Sequence, residues 1–177
     1  MVRVVIIAVL VCLQAFVGVP EFFYGAGGPL TPLSPEDFYG DGYWLRAMTY
    51  SFFHANWWHL AINSAAAWTI FDPRRKVNVL QLVSSYLIAV LVYPLSIHPV
   101  IGFSNVLYAI LGLRTPSLKS RWWRQPVVIV FLAVTFAMLL IPRFAATTHI
   151  AAFAAGMLCA SIRRGYLRLT EDARRYL

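Results

Sequence analysis

The sequence predicts an all-α integral-membrane protein, a single domain over residues 1–177 built as a bundle of six transmembrane helices. Three observations lead there. Hydrophobic residues make up 60% of the 177 positions and charged residues only 12%, with a positive mean hydropathy, a composition typical of membrane chains. The apolar residues fall into runs bounded by charge or proline, most of them long enough to cross a bilayer. When the chain is threaded six times, thirteen of the fifteen basic residues fall on one side. That bias marks the cytoplasmic face. It also accounts for the net charge of +8 without a nucleic-acid partner.

The first run, residues 2–19, has a membrane-spanning length. A signal peptide is the other reading, but Arg3 is its only early positive charge and no small-x-small cleavage pattern precedes Pro20. A retained first span is therefore expected. Residues 20–46 are rich in glycine, proline and aromatics, carry Glu21, Glu36, Asp37 and Asp41, and lack helical periodicity. They are expected to form a structured first loop with its rings at headgroup level. Further spans follow at about 47–71, 77–97, 102–113, 126–141 and 147–162, with a basic tail over 163–177. The tail reads as an inside anchor to anionic lipid.

With the amino terminus inside, the cytoplasmic segments hold Arg3, Arg74–Lys76, Arg114, Lys119, Arg121, Arg124 and the five arginines of the tail, leaving Arg46 and Arg143 outside. Both termini are thus expected in the cytoplasm, and a bacterial cytoplasmic membrane is the expected location. Cys12 and Cys159 lie in apolar runs with no metal-like or disulfide-like spacing, and are expected to be buried thiols. Neither a cofactor nor a metal is expected.

The fourth span is short. From Gly102 to Arg114 a helix rises only about 18 Å, against a hydrocarbon core of about 30 Å. Arg114 belongs at the cytoplasmic face, so Ser104 is expected to start its helix below the outer surface. The segment from Pro94 to Ile101, with two prolines and His98, would descend as non-helical chain, tolerated only inside protein or beside a wet cavity. A water-containing pocket open to the outside is predicted.

Polar side chains recur at this depth. His59 and Asn63 are four apart and share a helix face, while His54 belongs at the entrance of the same helix. Such residues commonly act as packing glue between membrane helices, and His59 fits that role. Ser104 alone is weak, because serines are frequent in membrane helices. His149 within a span is a functional candidate in its own right. Together they form a nucleophile and a base, since a hydroxyl attacks only when an imidazole takes its proton. No Asp or Glu lies within the last five spans, so a serine–histidine dyad is the simplest chemistry. The free N–H groups at the Ser104 helix start favour an oxyanion, to which His54 and Asn63 add donors. Tyr108, one turn after Ser104, is placed either to pack on the His149 ring or to serve as an ordinary packing aromatic.

Arg46–Asn63, written RAMTYSFFHANWWHLAIN, Gly102–Gly112, written GFSNVLYAILG, and His149–Gly156, written HIAAFAAG, together resemble the rhomboid family of intramembrane serine proteases. The resemblance runs from Trp44 to about Ser161. It implies Ser104 as nucleophile and His149 as general base. It implies an oxyanion hole from His54, Asn63 and the Ser104 N–H, and Tyr108 stacked on His149. Arg46 matches the arginine that structures the first loop, and His59 a structural histidine. Gly102 opens the nucleophile motif, and Gly112 and Gly156 fall at structural positions of the matched blocks. Three positions depart from the family: Asn105 stands where many relatives carry glycine, Ala152 where a glycine often pairs with the later one, and Leu45 where tryptophan usually precedes the arginine.

The function expected from this resemblance is an intramembrane endopeptidase cleaving single-span or membrane-anchored proteins near the outer face of the bilayer. Two alternatives stay open: an inactive rhomboid-like binder of membrane proteins, and a specialised branch that processes carboxy-terminal sorting signals.

Overall fold

The structure, a computed structural model, describes residues 2–20, 39–71, 78–96, 100–115, 129, 130, 133, 135, 137 and 146–175. The early part of the first loop (21–38), Arg74–Lys76, His98, Lys119–Arg124, Arg143 and most of the expected fifth span lie outside the described residues. The described residues fold as helices, with no strand among them. Helix α1 spans Val2–Phe16, α2 Tyr43–Thr49, α3 Trp57–Ile70, α4 Val79–Val92, α5 Ser104–Arg114 and α6 Ala146–Arg175. Ile129, Val130, Ala133, Thr135 and Ala137 are helical as well.

The run over 47–71, expected as one span, is two helices separated by a turn. A 3-10 turn at Tyr50–Phe52 follows α2, and Phe53 is extended. The next helix starts only when the Asn56 side chain accepts the His59 N–H at 2.9 Å. An asparagine at this position satisfies one of the donors that every helix start leaves open. Helix α4 begins the same way, with a reciprocal box in which Asn78 and Gln81 each accept the other's backbone N–H. It ends in a 3-10 turn through Pro94, short of the expected residue 97. Helix α6, by contrast, runs beyond the expected residue 162 to Arg175. The arginines beyond Ile162 end the apolar run but do not break the helix.

Helix α5 is the axis of the molecule. Every residue from Ser104 to Gly112 is buried, and α5 packs most extensively on α6, then on α4 and α3. At 11 residues it rises about 16 Å. Arg114, buried at its far end, donates to the Ile70 carbonyl at 2.7 Å, and so closes the end of α3.

Close contact between α5 and α6 depends on two glycines. A Cβ at Gly112 would stand 2.1 Å from the Phe153 carbonyl oxygen, and one at Gly156 would stand 2.4 Å from that of Ala109. Neither position has room for a methyl, and Ala152 beside them is fully buried. Small residues at a helix crossing allow such backbone contact.

The outer surface is apolar. Val4, Phe16, Trp58, Leu87, Leu91 and Ile162 are all exposed. Cys12 and Cys159, expected to be buried, are exposed too, Cys159 in an open crevice that it lines with Leu87, Leu91 and Leu113. Arg3 ties α1 to the far end of α3, with its guanidinium 3.8 Å from the Trp68 ring and a bond to the Trp68 carbonyl. None of the described helices is long and apolar enough to cross a membrane.

Candidate active site

The described end of the first loop, from Tyr39 onward, packs against the chain that leads into α5. Tyr39 donates from its hydroxyl to the Pro94 carbonyl at 2.9 Å, and Tyr86 donates to that of Met48. Arg46 is buried and donates to the Asp41 carbonyl at 3.2 Å. Tyr43, Tyr93 and Tyr50 pack ring on ring beneath it. Trp44 is exposed, as is Leu45.

From this base the chain reaches Gly102, whose N–H donates to the Tyr50 carbonyl at 2.9 Å. Gly102 has φ +115°, and a Cβ there would lie 2.6 Å from the His59 ring. Both the backbone conformation and the close ring exclude a side chain. His59 therefore forms the wall against which the chain turns into α5, and its ring meets that of His54 edge-on at 5.2 Å.

Ser104 is the first residue of α5. Its Oγ lies 2.7 Å from His149 Nε2, which places a hydroxyl on an imidazole nitrogen across 45 residues of chain. The Tyr108 ring stacks on His149 with centroids 4.7 Å apart and planes 20° apart. All three are buried. His149 Nδ1 is buried with no hydrogen-bond partner among the described residues, so no carboxylate among them stands behind the imidazole.

Two further side chains border this pair. His54, wholly buried, accepts the Phe103 N–H on Nε2 at 3.4 Å. Donation from that nitrogen to a ligand needs the other ring tautomer. Asn63 is buried on α3, and its Nδ2 donates to the His59 carbonyl at 3.1 Å. The second hydrogen of that amide is left for another acceptor. The same nitrogen stands 3.5 Å from where a Gly102 Cβ would lie, next to the turn that carries Ser104.

The structure thus joins Ser104, His149 and Tyr108 directly and sets His54, Asn63, His59 and Gly102 around the start of α5. Arg46, expected in the loop, is buried on the short helix α2, and Gly112 and Gly156 act deeper, at the α5–α6 crossing. A hydroxyl on a buried imidazole, beside the open N–H groups of a helix start, is an arrangement suited to acyl transfer. Tyr50 is the residue that sequence reading passes over. It contacts both sides of Ser104, and nothing in local periodicity marks a partner 55 positions away.

No curated protein and no solved structure matches the chain at a significant level. The family model described as the rhomboid domain matches residues 41–166, a stretch that begins in the docked loop and contains every residue placed around Ser104. The match covers well over half of the 177 residues, and the chain belongs to the rhomboid family, a family of membrane proteins.

Proposed function

We propose that this protein is an intramembrane serine endopeptidase that cleaves single-span or membrane-anchored proteins near the outer face of the bilayer. The observation that carries the reading is the 2.7 Å approach of Ser104 Oγ to His149 Nε2. Ser104 attacks the scissile carbonyl, and His149 takes the hydroxyl proton on Nε2 and returns it to the leaving amine. The oxyanion forms at the start of α5, where the Ser104 N–H lacks a partner within the helix and the helix dipole favours negative charge. The remaining Asn63 amide hydrogen and, in its other tautomer, His54 supply side-chain donors there. Tyr108 holds the imidazole plane while the proton moves in both directions. Water then hydrolyses the acyl-enzyme and regenerates Ser104.

A substrate helix hides its amides in backbone hydrogen bonds, so a cleavable segment must unwind near the site. Segments containing glycine or proline do so most easily. The exposed apolar belt on α1, α3 and α4 supports a lipid-facing outer surface, because apolar patches of this extent are unusual on a protein that meets water.

The test is labelling by a fluorophosphonate in detergent. Wild type should be labelled. Ser104→Ala should not be, and His149→Ala should slow labelling by about 10²–10⁴-fold, the usual contribution of a general base. A folded wild type that resists the probe would make the protein an inactive binder of membrane proteins instead.

A further inference from the structure

Tyr50 and Asn105 take no part in the chemistry proposed above, yet both are completely buried beside it. Asn105 follows Ser104 directly. Its Nδ2 donates to the Tyr50 hydroxyl at 2.9 Å, and that hydroxyl donates to the Ala89 carbonyl of α4 at 2.9 Å. A phenol has one hydrogen to give. Because Ala89 receives it, the hydroxyl meets Asn105 as an acceptor, and this fixes the amide with its nitrogen toward Tyr50.

The other end of Tyr50 holds the chain on the opposite side of Ser104. Its carbonyl accepts the Gly102 N–H at 2.9 Å. One residue therefore grips the chain two positions before Ser104 and one position after it, first by backbone and then by side chain. Tyr50 is itself immobilised, with its ring 4.9 Å from that of Tyr93 and its hydroxyl anchored on α4. The chain around Ser104 needs such a grip. Gly102 sits at φ +115° and offers little torsional resistance of its own. A serine at a helix start also has open backbone N–H groups nearby that compete for its oxygen.

We infer that Tyr50 and Asn105 form a clamp that positions Ser104, setting the height and rotation of the first turn of α5 so that Oγ meets His149 Nε2. The clamp rests on the reading of Ser104 as nucleophile. It gives a definite role to Asn105, because its amide supplies the cross-link to the Tyr50 hydroxyl. Both are positioning residues, since neither touches the reacting atoms.

The experiment compares wild type, Tyr50→Phe, Asn105→Leu and the double variant in detergent. It measures the fluorophosphonate labelling rate, kcat and KM on a cleavable transmembrane peptide, and the melting temperature. Tyr50→Phe keeps the ring and the backbone grip and removes only the hydroxyl, while Asn105→Leu keeps the volume. Each single variant should slow labelling and lower kcat about 10- to 100-fold with KM within about twofold of wild type, as displacement of a reacting group by about 1 Å does. In the double variant both partners become apolar, which restores much of the stability lost by leaving one of them unpaired. Its melting temperature should recover while its labelling rate stays low. Rate and stability recovering together would make the pair a purely structural contact and overturn the clamp, as would single variants that label at the wild-type rate. If Tyr50→Phe does not fold, Asn105→Leu alone carries the same comparison of rate against melting temperature. A wild type that is not labelled at Ser104 overturns the protease reading and the clamp with it, whereas labelled wild type with unaffected variants overturns the clamp alone.

Discussion

Asn63 has two amide hydrogens, and the structure accounts for one, given to the His59 carbonyl at 3.1 Å. An amide held in this way is oriented before substrate arrives, and in the proposed mechanism its second hydrogen meets the developing charge without reorganisation at the moment of reaction. Asn63→Ala is therefore expected to lower kcat about 10²–10³-fold, the usual cost of one oxyanion donor, while KM for a transmembrane peptide stays close to wild type. A parallel rise in KM with kcat preserved would instead place Asn63 in substrate binding. His54 differs, since its Nε2 accepts the Phe103 N–H. Its contribution depends on a change of tautomer that Asn63 does not need.

At the scale of elements, the distance between Ser104 and His149 is set by how closely α5 and α6 approach, and that approach ends at Gly112 and Gly156. Gly156→Ala puts a methyl 2.4 Å from the Ala109 carbonyl oxygen and 2.9 Å from the Leu113 nitrogen, which the two backbones relieve only by separating. Thermal unfolding in detergent should register a loss of about 1–3 kcal/mol, as overpacking does, and cleavage should fall with it. Gly165, on the same helix, has nothing within 4 Å of the place an added methyl would take. Gly165→Ala should be neutral or stabilise α6 by up to about 1 kcal/mol through helix propensity. Equal effects at the two glycines would remove the close crossing as the explanation. The glycines at this crossing are visible in the sequence as small residues in apolar segments, and Ser104 and His149 stand out because hydroxyls and imidazoles are conspicuous there. The helix break at residues 53–56 is not visible in the same way. His54 reads as a helix entrance, but the apolar residues on either side of it suggest one run, and the break is made by the Asn56 cap with Gly102 bonded to Tyr50 beside it. A cap is a local signal that an asparagine before a helical run can reveal. The Tyr50–Asn105 bond joins residues 55 apart, and no sequence period points to it.

For the molecule as a whole, the functional reading requires the start of α5 to face outward and the basic end of α6 to face the cytoplasm. The fold supplies the internal half of that requirement. Ser104 and His149 meet at one end of the α5–α6 pair, and Arg114 and Arg163 lie toward the other, because the two helices run in the same direction through the Gly112–Gly156 crossing. Arg3 packs on Trp68, which brings the amino terminus of α1 to that same basic end. The sequence supplies the rest, since thirteen of fifteen basic residues fall on this side in the six-span threading, and lysine and arginine hold loops on the cytoplasmic face. A fluorescent protein fused after Leu177 should therefore fold and fluoresce, and alkaline phosphatase fused there should be inactive. Phosphatase inserted in the loop over residues 20–46 should be active. The reverse pattern would turn the site toward the cytoplasm. Cleavage would then have to fall on the inner side of substrate helices, and the outer-face assignment would be lost while the Ser104–His149 chemistry stood unchanged.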